Sequence, residues 1–157
     1  MVEVTDWRKA FRTTTLVCAA IIASLFLYAL IVEILRSRLG FFSGLARPSQ
    51  ARPLLFIFYG LAIVAVLLTR ILNRSLMKGM ESDPLEERIL RLSRASVITA
   101  VLAELPALVG FVLFLLIGSS RDFYLLWFGS LVLEFIFFPR LRTWQQILGE
   151  QLPGESG

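Results

Sequence analysis

Four stretches of the chain are apolar on every side: about Thr14 to Leu35, Pro53 to Leu72, Ala95 to Gly118 and, shorter, Phe123 to Phe138. A helix rises about 1.5 Å per residue and needs roughly 20 apolar residues to cross a hydrocarbon core of about 30 Å, which these runs match. A closed β-barrel would instead alternate apolar and polar positions in segments of about ten, and no such alternation is present. The pattern predicts an all-α integral membrane protein: four transmembrane helices in an antiparallel bundle, with residues 1–157 forming a single membrane domain.

Between the second and third runs lies the one long polar interval. Asp83, Pro84 and Glu86 make a helix start, with Asp83 as cap, Pro84 at the first helical position and Glu86 reaching back. Leu85, Ile89 and Leu92 then share a stripe, and Glu87 stands four residues before Arg91. The segment 83–94 is therefore an amphipathic helix that either lies on the membrane surface or extends the third span. Trp7 with Phe11, and Trp144 with Leu148, read as interfacial anchors. A faint internal match sets Leu27 and Ala29 against Leu108 and Gly110, and Gly60 against Gly129, as two repeated hairpins would; it is mostly apolar on apolar.

Composition agrees: 57% of residues are hydrophobic, 18% are charged, and the mean hydropathy is +0.75. The single cysteine, Cys18, lies within the first run, so no internal disulfide can form. There is no histidine, which removes the commonest metal ligand and general base, and no Ser or Cys stands beside a plausible base, so the sequence points to neither an enzyme, a metal site nor a cofactor. Arg8, Lys9 and Arg12 precede the first run like the start of a signal peptide, but the run is too long and lacks a small-residue cleavage site; it reads as a retained anchor. Of the sixteen Lys and Arg residues, five (Arg36, Arg38, Arg47, Arg52 and Arg121) fall on the side opposite the termini and the rest on the termini's own side, which places both termini in the cytoplasm. The net charge of +4 then answers to anionic headgroups and calls for no nucleic-acid partner. The small size and the preference for arginine point to a bacterial inner membrane.

Charges within the spans each need a reason, because one at the bilayer centre costs about 3 kcal/mol on insertion scales. Glu33 lies near the end of the first span, three residues before Arg36, and reads as an interfacial ion pair. Arg70 and Glu134 fall at similar depths on helices that both run inward, and are expected to pair across helices. Glu104 lies ten residues beyond Arg94, about 15 Å of rise and hence mid-membrane, with no basic residue clearly at that depth. Pro106 follows it and cannot donate to the carbonyl of Leu102, so Glu104, Pro106 and Leu102 together read as a protonatable acid beside a free acceptor, a candidate proton or small-cation site. The plainer role for such an acid is a hydrogen bond to a neighbouring helix, and Ser24, Ser96, Thr99 and Ser130 read as bonding back to their own helices or across to others.

The stretch RASVITAVLAELPALVGFVLFLLIG, residues 94–118, resembles the carboxyl-bearing helix of the proteolipid c subunit of rotary ATPases, with Glu104 followed six residues later by Gly110; DPLEERILRL before it loosely resembles that family's polar loop. The resemblance implies a proteolipid-like oligomer that binds or translocates protons or small cations through Glu104. Without it, the residues describe a structural or accessory subunit of a membrane assembly, or a self-associating helical bundle, whose partners are the bilayer and either further copies or a larger complex.

Overall fold

The structure, a computed structural model, describes residues 4–39, 44–46, 51–78 and 84–148. Over these residues the chain is five helices without a strand: α1 (Val4–Leu39), α2 (Ala51–Met77), α3 (Leu85–Ile117), α4 (Ser120–Phe137) and α5 (Leu141–Leu148). Three of them, α1, α2 and α3, are long and apolar enough to cross a membrane; α4 joins them only if it and α5, bent by 40°, count as one span. At about 1.5 Å per residue, the 36 residues of α1 and 33 of α3 measure about 54 and 50 Å, so both outrun a core of about 30 Å.

The helix ends follow local chemistry. Pro53 sits in the first turn of α2, where its missing N–H has no intrahelical partner to lose. Gly118 ends α3 in the left-handed conformation at φ 74° and donates its N–H to the Phe114 carbonyl. Ser119 caps α4 by accepting from the Asp122 N–H. At the start of α3 the cap position falls to Pro84, one residue later than expected; Asp83 lies outside the described residues. From there the amphipathic segment runs without a break into the third apolar run, so residues 85–94 are an extension of α3.

α3 is the axis of the bundle and packs against α1, α2 and α4, whereas α1 and α2 scarcely touch. α1 and α3 run parallel, Thr14 meeting Ser93, Ser24 meeting Glu104 and Val32 packing with Phe114. The two hairpins of the internal match are therefore not equivalent, since only α3 and α4 pack closely on one another. Small residues make this possible: Ala95, Ala100, Ala103, Ala107 and Gly110 are all buried on α3. A Cβ added at Gly110 would come within 2.9 Å of the Leu126 Cβ, so glycine sets the α3–α4 approach.

At the end away from the termini, Val32, Phe114 and Phe123 form a core with Tyr28, Phe111 and Tyr124 around them. The connection from α1 reaches back over this end of α3: the N–H groups of Leu45 and Ala46 donate to the carbonyls of Leu115 (3.1 Å) and Leu116 (2.7 Å), which the end of the helix leaves without partners. At the termini end, Leu92 and Trp144 form another core with Phe11, Met77 and Leu148. This corrects the anchor reading of the tryptophans. Trp7 and Trp144 are 5% and 2% exposed; α5 folds back across the starts of α1 and α3, where the Trp144 ring packs with Leu92 and stands edge-on to Phe11 at 5.3 Å.

Candidate functional site

One group of polar residues lies where α1, α3 and α4 meet. Ser24 and Tyr28 lie four residues apart and so share one face of α1, which they turn toward α3. There the Tyr28 hydroxyl donates to Oε1 of Glu104 at 2.8 Å, and the Ser24 hydroxyl is bonded to the same oxygen. Ser24 also lies 2.6 Å from the Ile21 carbonyl of its own helix. A serine hydroxyl has one proton to donate and here faces two acceptors, so it shares that proton between the Ile21 carbonyl and the Glu104 carboxyl group.

Below the Glu104 side chain the backbone is interrupted at Pro106. The next amide, Ala107 N–H, donates to the Ser130 hydroxyl of α4 at 2.8 Å, and that hydroxyl lies 3.5 Å from the Glu104 carbonyl. Ser130 is fully buried and touches the α3 backbone on both sides of the proline. One turn further along α4 is Glu134, 1% exposed, with Oε1 lacking a hydrogen-bond partner among the described residues. Glu104 and Cys18 lie within its electrostatic reach. The Cys18 thiol points at the Ser96 carbonyl at 4.0 Å, and Trp127 of α4 donates its indole N–H to the Leu25 carbonyl at 2.8 Å.

The Arg70–Glu134 pair expected from depth is not formed. Glu134 belongs to the inward stripe of α4 with Phe123, Leu126 and Ser130, but the inward stripe of α2 is Ala62, Ala65 and Thr69. Arg70, next to Thr69 and so about 100° around the helix, is exposed. Glu33 does pair with Arg36, at 3.3 Å, and also accepts from Tyr124 of α4 at 2.6 Å. Tyr59 of α2 donates to Asp122 of α4 at 2.7 Å. All three tyrosines of the chain thus donate a hydrogen bond to an acidic side chain on another helix.

Reasoning from sequence found Glu104, Pro106, Glu134 and Ser130 but not Tyr28, nor the meeting of Ser24 with Glu104. The signal was the offset of 81 that aligns Leu27 with Leu108: helices laid parallel in that register put Ser24 beside Glu104. Among the described residues, no three His, Cys, Asp or Glu side chains gather as a metal site would require.

What fold and site define is an all-helical chain with three membrane-length apolar helices and a polar cluster, two of its members acidic, inside the bundle. Compared with known proteins, it matches no family model, no characterised sequence and no solved structure.

Proposed function

We propose that this chain crosses the membrane four times, with α4 as the shortest span and both termini in the cytoplasm, and serves as a structural or accessory subunit of a membrane assembly. The observation that carries this is the open side of the bundle. Between α2 and α4 lies a groove of about 560 Å³, lined by Ala62 and Val66 of α2, Pro106 of α3, and Gly129 and Val132 of α4. Gly60 and Gly129 stand on exposed helix faces with no atom of the described residues within 4 Å of where a Cβ would be. Small residues on a membrane-facing surface let a further helix come close enough to pack, whether from another copy or from a partner. Inside the bundle, by contrast, the hydroxyls are used to tie helices to one another.

Native mass measurement of protein extracted in mild detergent tests this. The wild type should run as a defined oligomer or with a stoichiometric membrane partner, and Gly129→Phe, which fills the groove, should run alone. A wild-type monomer without a partner would count against the proposal.

A second reading is favoured by the two α1 hydroxyls that converge on one oxygen of Glu104 and by the Glu134 oxygen without a partner among the described residues: the Glu104–Glu134 cluster binds a proton or small cation. The resemblance of residues 94–118 to the proteolipid helix supports the same role for Glu104. Carbodiimide reacts with protonated carboxyl groups in apolar surroundings. Labelling at Glu104 that depends on pH and disappears in Glu104→Gln is the expected result; no labelling at any pH would refute this reading.

A further inference from the structure

A second cavity, at the other end of the polar cluster, has a different character. It occupies about 180 Å³ between the end of α2, the start of the apolar part of α3 and the elbow where α4 turns into α5. Its polar lining comes from Asn73, Ser96, Thr99, Arg140 and Thr143, and Ile136 and Phe137 add an apolar wall. Asn73 accepts from the Thr99 hydroxyl at 3.4 Å through its Oδ1, which directs the amide NH₂ elsewhere. Arg140 is exposed at the elbow, and among the described residues no acid lies within ion-pairing distance of it.

The place of this cavity is set by the hydrophobic pattern. The second apolar run ends at Leu72, the third begins at Ala95 and the fourth ends at Phe138, so three span ends converge here. That is the level at which hydrocarbon gives way to headgroups. Arg70 and Arg74 in the last turns of α2 and Lys78 just past its end, spaced four apart, are exposed alongside and form no ion pair among the described residues. The lining thus offers a guanidinium, an amide and several hydroxyls, next to an apolar wall.

We propose that this cavity is a binding site for the headgroup phosphate of an anionic phospholipid. Arg140 holds the phosphodiester by a charge-assisted hydrogen bond, Asn73, Ser96 and Thr143 donate to its remaining oxygens, and the acyl chains leave along Ile136 and Phe137. The row Arg70, Arg74 and Lys78 favours lipids with net negative charge over zwitterionic ones carrying the same phosphate. The proposal rests on the chain lying in a membrane and does not require a partner in the α2–α4 groove, so lipid bound to a monomer, or an oligomer without lipid, tells the two apart.

The test is native mass spectrometry of the intact protein released from detergent after titration with phosphatidylglycerol or phosphatidylcholine. One phosphatidylglycerol should be retained in preference to phosphatidylcholine. Arg140→Ala should weaken retention about tenfold, the worth of one hydrogen bond to a charged group. Arg142→Ala, which removes the same charge from an exposed position outside the cavity lining, should leave retention unchanged. Equal retention of the two lipids, or equal loss in both variants, would show general attraction to the surface and overturn the site. Displacement by soluble glycerol phosphate at concentrations comparable to the lipid's would assign the cavity to a free phosphate compound and overturn the lipid assignment.

Discussion

Removing the Ser130 hydroxyl tests whether α4 repairs the break that Pro106 makes in α3. Ser130 is fully buried, and its oxygen accepts the Ala107 amide at 2.8 Å. In Ser130→Ala that N–H faces an alanine methyl group in a water-free setting. A buried donor left without a partner costs about 1–3 kcal/mol, and hydrogen bonds between membrane helices average about 0.6 kcal/mol with a maximum near 1.7. The expected loss is therefore about 1.5 kcal/mol. The control is the same substitution in a Pro106→Ala background. An alanine at that position restores an N–H and removes the ring that crowds the preceding turn, so Ala107 can return to a carbonyl of its own helix. There Ser130→Ala should cost no more than about 0.5 kcal/mol, leaving a coupling of about 1 kcal/mol, above the additivity error of about 0.5 kcal/mol. Equilibrium unfolding by titrating SDS into mixed micelles, followed by helical circular dichroism, measures all four corners of the cycle. Equal losses in both backgrounds would show that Ser130 serves the helix contact irrespective of the proline, and the repair argument would fail.

Two further substitutions probe the two ends of the bundle. Gly44 has φ +78°, and a Cβ there would lie 2.6 Å from both the Gly118 N and the Ile117 C, backbone atoms that cannot yield. Gly44→Ala should lift the connection off α3 and cost about 3–4 kcal/mol, from left-handed strain of about 1–2 and two lost amide caps of about 1 each; a wild-type unfolding midpoint in the same titration would show that the connection is not seated there. Trp144→Ala empties the core around Leu92 and Phe11 and should cost about 3–5 kcal/mol. Hydrogen exchange should then rise in residues 141–148 and at the starts of α1 and α3 while the spans stay protected, whereas a tryptophan acting only as an interfacial anchor would leave exchange in α1 and α3 unchanged.

Sequence alone determined the helices and their apolar cores, because crossing hydrocarbon is a local requirement: about twenty consecutive residues must each be apolar, whatever packs beside them. It also determined each residue's position along its helix, and so singled out Glu104, Pro106 and Glu134 within the apolar runs, and the ion pair of Glu33 with Arg36 within one turn. Which way a residue faces is not local. In runs that are apolar all round, no stripe shows which side meets a neighbour, so Arg70 and Glu134 were matched by depth while their helices turn them in different directions. The same blindness hid the role of Tyr28, whose partner is 76 residues away, and made buried core residues look like surface anchors in Trp7 and Trp144. Only the tertiary structure decided that α3 is the axis, that α5 closes one end, and that the Glu104 carboxyl group is held by two hydroxyls of α1. These depend on the rotation of each helix about its own axis, which the small residues of α3 fix by allowing close approach on some faces and not on others.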